Sequence, residues 1–236
     1  MKKSLILIVL TSLPLFGVEG KPFSVRLELS YVNTSGNVDT QTLSEKGEVE
    51  IKGIKNRLFM KNSFLYITRD GEESANRLEA EGRWEHLISE RFFGFVMAGY
   101  LRDRFSGYEY RWNGGPGFGY DFLRGDKHEL KVLLSYLYYY NRIEDGTLDN
   151  YPTLRAELRW RWSIYENLRL KKDLSYFVNL SDPQVYFINS ETSLEVKIKG
   201  AFSLGVGYRL HYQNTPPEPG LERTDTTFST SLILDL

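Results

Sequence analysis

The sequence predicts an all-β chain: a transmembrane antiparallel up-and-down β-barrel of about twelve strands, following a cleaved N-terminal signal peptide. Three observations carry this expectation. Apolar and polar side chains alternate with a period of two along almost the whole chain, which is the strand period because successive side chains point to opposite faces. The alternating stretches are joined by turns that are short and long by turns, as in antiparallel membrane barrels. Aromatic residues reach 14%, with 16 tyrosines and 14 phenylalanines, enough to build interfacial girdles.

The leader comes first. Lys2 and Lys3 form a basic start, Ser4 to Gly17 is mostly apolar, and Val18-Glu19-Gly20 offers small residues at the cleavage positions. Residues 1–20 therefore read as a signal peptide and residues 21–236 as the barrel domain. The apolar stretch is shorter than the ~20 residues a spanning helix needs.

Strands are expected near 22–33, 41–52, 57–68, 76–86, 92–103, 108–122, 128–140, 153–164, 168–180, 186–198, 201–213 and 224–236. In the first, Phe23, Val25, Leu27, Leu29 and Tyr31 share one face, and Ser24, Arg26, Glu28 and Ser30 the other. Leu78, Ala80, Gly82 and Trp84 oppose Arg77, Glu79, Glu81, Arg83 and Glu85 in the fourth. Leu154, Ala156, Leu158, Trp160 and Trp162 oppose Arg155, Glu157, Arg159, Arg161 and Ser163 in the eighth. A one-residue slip would turn these charges into lipid at roughly 2–4 kcal/mol per cation near the midplane, so the charged face lines the interior. The third and fifth stretches alternate less cleanly; Phe92 to Leu101 is apolar on both faces and leaves its wall unassigned. Short turns fall at 53–56, 88–90, 124–127, 166–167 and 199–200, with longer loops near 34–40, 69–75, 104–107, 141–152, 181–185 and 214–223. This alternation places both termini on the periplasmic side of a Gram-negative outer membrane.

Composition narrows the function classes. The chain has no cysteine, which excludes disulfides, thiol catalysis, cysteine-ligated metals and a lipoprotein anchor. A net charge of −1, from 30 basic and 31 acidic residues, gives no field for nucleic acid. A mean hydropathy of −0.39 argues against a helical membrane protein and suits a barrel with a polar lumen.

Several motifs resemble the YdiY-like family of salt-induced outer membrane proteins. They are Thr34-Ser35-Gly36-Asn37-Val38-Asp39-Thr40-Gln41-Thr42, the run from Asn76 through Arg102-Asp103-Arg104-Phe105-Ser106-Gly107-Tyr108, Val178-Asn179-Leu180-Ser181-Asp182-Pro183 with Asn189-Ser190-Glu191-Thr192-Ser193-Leu194, and Asn214-Thr215-Pro216-Pro217 with Thr224-Asp225-Thr226. The resemblance implies an outer-membrane barrel and supplies no substrate, cofactor or catalytic residue; the salt label describes regulation in relatives. Barrels of this kind usually end on an aromatic residue, whereas this chain ends Ile233-Leu234-Asp235-Leu236, with Phe228, Leu232, Leu234 and Leu236 still alternating as a strand for the assembly machinery would.

The interior carries the candidate chemistry. Arg155, Arg159, Arg161, Arg169 and Lys171 lie on two strands joined by the tight Glu166-Asn167 turn and form a basic strip. Guanidinium forks bind carboxylates and phosphates bidentately, so the strip is a candidate guide for small anions or acidic oligosaccharides; Glu157, Asp173 and the acidic fourth strand are positioned to neutralise it. Gly114-Gly115-Pro116-Gly117-Phe118-Gly119 lacks the Lys-Ser/Thr and the helix of a phosphate loop, and reads as room for tyrosine rings from 136–140. Of three histidines, His86 and His128 fall near short turns and His211 lies inward, with no two placed to act together. The loop acids Glu72, Glu73, Glu144, Asp145 and Asp149 offer charge for divalent cations that bridge lipopolysaccharide, but the preferred reading is ordinary solvated loop residues. The sequence thus supports a non-enzymatic, monomeric barrel without cofactor or metal, partnered by lipid, lipopolysaccharide and the assembly machinery. Its expected role is an envelope or osmotic-stress barrel or a narrow pore. An anion channel is the alternative, and a lipid-modifying enzyme the alternative of another class.

Overall fold

A computed structural model describes residues 23–34, 39–103, 107–216 and 222–236. The expected leader, residues 1–20, lies outside them, as do parts of the loops expected near 34–40, 104–107 and 214–223. Twelve strands follow in order: β1 (Phe23–Thr34), β2 (Thr40–Lys52), β3 (Asn56–Arg69), β4 (Glu72–Leu87), β5 (Phe92–Asp103), β6 (Tyr108–Arg124), β7 (His128–Ile143), β8 (Leu148–Tyr165), β9 (Leu168–Asn179), β10 (Tyr186–Lys199), β11 (Phe202–Gln213) and β12 (Thr224–Asp235). Each pairs antiparallel with its sequence neighbours, and β1 pairs with β12 to close the barrel. Closure satisfies the backbone groups that an open edge would leave bare in lipid.

The pleat obeys the expected parity. Cross-strand partners share a face, so the pairs Arg26↔Glu48, Lys61↔Glu81, Glu81↔Gly99 and Lys131↔Arg159 carry one charged interior from strand to strand. The exterior carries Leu29, Trp84, Val96, Phe118, Leu134, Leu154 and Leu204, all well exposed. An apolar surface this continuous has no stable contact with water and matches lipid.

The two-sided β5 resolves once its partners are known. Phe93, Phe95 and Met97 pair with Gly119, Gly117 and Gly115 and point inward, while Phe92, Val96 and Tyr100 face out. Gly117 and Gly119 make room for phenylalanine rings from the preceding strand and not, as the sequence suggested, for tyrosine rings from the following one, while Gly115 lies against the backbone of Tyr136 and Leu137. A Cβ at Gly119 would lie 2.9 Å from Cε1 of Phe93 and closer still to Cζ, and one at Gly117 would lie 2.6 Å from Cε2 of Phe95. Tyr136, Tyr138 and Tyr140 are exposed on the outer face.

Two expected loops shrink. The connection expected near 69–75 is a two-residue turn, Asp70–Gly71, with φ of 51° and 83°. Asp-Gly between alternating strands is the signature of a type I′ hairpin, whose twist matches the strands it joins. The loop expected at 141–152 contracts to 144–147 because β7 and β8 extend past the expected boundaries. Strand closure is uneven: β1 pairs with β2 along twelve residue pairs but with β12 only from Arg26↔Asp235 to Leu29↔Leu232, extended by mutual backbone bonds of 2.8 and 2.7 Å between Val25 and Leu236.

Candidate functional site: a braced lumen

The interior is filled at two levels with a polar cavity between and beside them. Toward the short-turn end, Arg57 and Arg83 both reach Glu85, at 2.8 and 2.9 Å, and Arg57 and Lys131 flank Asp121 at 3.6 and 3.7 Å. Aromatic faces roof these charges: Arg57 lies 4.7 Å from the ring centre of Phe93, Arg83 4.9 Å from that of Phe59, and Lys131 5.2 Å from that of Phe93. Glu85 and Phe93 have no exposure at all. A buried carboxylate between two guanidinium groups is held only because every member is paired.

At the long-loop end the filling is aromatic. The guanidinium of Arg111 stacks 3.8 Å from the ring centre of Tyr108 and 4.9 Å from that of Phe187, and Tyr139 and Tyr151 stack 5.9 Å apart. Gln213 Nε2 donates to the Tyr108 hydroxyl at 3.4 Å. Gln213 is on β11 and Tyr108 on β6, nearly opposite walls of a twelve-stranded barrel, so this contact crosses the whole lumen.

Between these levels lies a cavity of about 270 Å³, lined by charges from most of the wall. Arg155 reaches across from β8 to Glu81 on β4 at 2.8 Å and to Glu157 at 3.0 Å, with its guanidinium 4.9 Å from the ring centre of Phe177. Lys61 joins Glu81 at 3.4 Å, and Arg159 joins Glu157 at 3.0 Å. On the opposite side, Arg26 meets Glu28 and Asp235 at 2.8 Å each and also pairs with Glu195. Lys171 holds the same Glu195 at 2.8 Å. Glu191 takes Arg209 at 2.9 Å and pairs with Lys46.

The five residues of the sequence-derived basic strip fall on the adjacent strands β8 and β9, and four of them line the cavity: Arg155, Arg159, Arg161 and Lys171. Each of the four has a carboxylate partner; Arg161 grips Asp173 through two bonds of 2.8 and 3.0 Å. Arg169 is exposed, does not line the cavity, and makes no ion pair among the described residues. The strip therefore exists as geometry, with most of its charge balanced inside the wall.

The histidines are apart. His86 Nδ1 contacts Asn56 Oδ1 at 2.9 Å, His128 stacks on Trp162 at 5.6 Å, and His211 meets Asn189 in the lumen. Among the described residues no three His, Asp or Glu side chains converge as a metal site. In the loop after β7, Asp145 accepts hydrogen bonds from the Thr147 N–H and hydroxyl, which hold its carboxyl below the usual aspartate range.

Parity located the luminal charges but missed Phe93, Phe95, Tyr108 and Tyr151 as the filling between them. Spacing shows which face a side chain takes, not how far across the barrel it reaches. Parity also puts Glu45 and Lys172, each adjacent to an inward lysine, on the outer face, two positions not singled out from the sequence.

Comparison with known proteins agrees with this architecture. The chain is 26% identical over 212 residues to the Uncharacterized protein YdiY of Escherichia coli (strain K12), covering 90% of this chain and 82% of that protein. Among solved structures, an outer membrane channel from Pseudomonas putida F1 superposes with a TM-score of 0.53 at 11% identity, covering 92% of this chain and 95% of that one. The NanC porin gives 0.49 at 10% identity, over 91% of this chain and 98% of that one. The family described as "Protein of unknown function, DUF481" matches residues 27–235, from β1 to the end of β12, and the chain belongs to that family.

Proposed function

We propose that this protein is an outer-membrane barrel whose lumen is braced shut: a structural component of the envelope that passes small solutes poorly or not at all. The observation that carries this reading is contact between walls far apart around the barrel. Gln213 to Tyr108 spans the lumen at one end, and Arg155 to Glu81 bridges it in the middle. Eight-stranded barrels are filled by their side chains and wider ones generally leave space, so twelve strands with walls in contact need large luminal residues, which Arg111, Tyr139, Phe187 and Arg155 supply. The leader-like composition of residues 1–20 and the apolar exterior support the outer membrane, with both termini periplasmic and the alternating residues of β12 read by the assembly machinery.

A second reading, a narrow channel for small anions or acidic oligosaccharides, draws on the four basic residues that share the cavity wall. One experiment separates the two: single-channel recording on the refolded mature chain in a planar bilayer, with reversal potential under a salt gradient. A silent but heat-modifiable barrel supports the braced reading. Stable anion-selective steps that fall in Arg159→Ala and Arg161→Ala support the channel and overturn it. A lipid-modifying enzyme would need a nucleophile beside a base, and among the described residues no hydroxyl is hydrogen-bonded to His211.

A further inference from the structure

The outer wall carries two charges that no register of their strands keeps out of lipid, because each is adjacent in sequence to an inward charge. Among the described residues, Glu45 on β2 and Lys172 on β9 are the only charged side chains at outward positions away from strand ends. Glu45 pairs with the exterior residues Leu29 and Phe64, and Lys172 with the exterior residues Trp160 and Thr192. Each is held by polar neighbours on the same outer face. Asn62 Nδ2 donates to both Glu45 carboxylate oxygens, at 3.2 and 2.9 Å, and Lys172 Nζ donates to Ser190 Oγ at 2.6 Å and Thr192 Oγ1 at 2.9 Å. Each is left half satisfied: an ammonium with a third hydrogen and a carboxylate with free lone pairs face outward. An ionisable group inside a membrane is costly unless it has a partner.

The two sites lie at one depth. Glu45 sits one pair of residues below Tyr66 and Tyr31 in the tyrosine belt at the long-loop end, since Leu43 pairs with both. Ser190, which draws the Lys172 ammonium toward that end, sits one pair below Tyr176, which pairs with Ile188. Register counting agrees. The line of partners from Glu45 runs through Leu29, Leu232, Leu204 and Val196 to Leu168 on β9, four residues below Lys172. With strands tilted by about 40°, the five steps descend ~15 Å and the four residues regain ~10 Å, and the long lysine side chain makes up the rest.

We propose that Lys172 of one copy pairs with Glu45 of the next within the membrane, so that the barrels associate in head-to-tail rows. Charge complementarity selects this occupant. A lipid phosphate would satisfy the ammonium and repel the carboxylate, whereas a second copy satisfies both. The sites are five strand steps apart on a twelve-stranded barrel, an angle of about 150°, so the contact is heterologous and extends nearly straight instead of closing a small ring.

The test uses the mature chain refolded in lipopolysaccharide-containing liposomes. The sequence has no cysteine, so Asp126→Cys in an exposed turn takes donor or acceptor dye uniquely. Energy transfer should exceed the random-distribution level and fall to it in E45K alone and in K172E alone, each checked for folding by heat modifiability. Mixing the E45K and K172E chains should restore transfer, because every contact in a row that alternates the two variants again joins opposite charges. Random-level transfer in the wild type, indifference to either substitution, or no recovery on mixing would overturn the proposal; retained association in E45K alone would point to lipid anions as the occupant. If a charge reversal prevents folding, E45Q and K172M should each lower transfer without the mixing arm, and unchanged transfer in both would equally overturn it.

Discussion

Phe93 and Gly119 offer the sharpest test of how this lumen is built. They face each other across β5 and β6, Phe93 has no exposure, and its ring lies under the Arg57 guanidinium. Truncating Phe93 to alanine removes a fully buried ring, a change that typically costs about 3–5 kcal/mol. Gly119→Ala adds a methyl group closer than 3.0 Å to the ring, which cannot withdraw because charges and the Phe95 ring surround it; overpacking of this kind costs about 1–3 kcal/mol. In the double variant the new methyl occupies space the ring has vacated, so the Gly119→Ala penalty should vanish. The double variant should then be no less stable than Phe93→Ala alone, a coupling of about 1–3 kcal/mol. Urea titration of the barrel in lipid vesicles, followed by the fluorescence of Trp84, Trp112, Trp160 and Trp162, measures all four corners of the cycle. Additive losses would refute the reasoning, because they would mean the glycine is not there for the ring.

Other consequences follow from the same interior. Arg155→Ala removes the closest cation bridging Glu81 and Glu157 and leaves them to Lys61 at 3.4 Å and Arg159 at 3.0 Å, so it should cost about 1.5–3 kcal/mol in the same titration, the worth of a hydrogen bond to a charged group; a loss below about 1 kcal/mol would show that Arg155 does not brace the lumen. Replacing Tyr108 and Phe187 together by alanine removes the aromatic closure at the long-loop end, and should turn a silent barrel into one with measurable conductance in the planar bilayer. Asp70→Val puts a β-branched residue at φ of 51° and should cost about 1–2 kcal/mol, with slower folding of the β3–β4 hairpin seen in stopped-flow refolding. Asp235→Ala removes one of three carboxylates from the nearly buried Arg26 at the short β1–β12 seam, and should lower the heat-modification midpoint more than Lys52→Ala, whose exposed ammonium meets only Glu50.

Strand positions, an approximate count of twelve, and the facing of the strands with clean alternation were legible in the sequence. Most strands can keep charge out of lipid in one register only, because the period is two, which is why spacing alone made Arg155, Glu157 and Arg159 legible as inward neighbours; β2 and β9, where charged residues are adjacent in sequence, have no such register. The tight turns were less legible. The Asp70–Gly71 hairpin was written in the chain, but the polar residues of 72–75 masked it because they continue an alternation that polar loops also show. Everything that depends on distance across the barrel came from the closed sheet. Local alternation fixes a side chain's direction and carries no information about which opposing side chain it meets. Strand β5, apolar on both faces, became readable only when Gly117 and Gly119 on β6 left space on one side for Phe95 and Phe93. The basic strip was visible as five cations, yet whether they stand free or balanced depended on Glu81 and Glu195, which come from β4 and β10 through the closure of the sheet. The outward positions of Glu45 and Lys172 follow from parity alone, but that each is held by hydroxyl or amide neighbours, and that the two share a depth, needed the register of twelve strands.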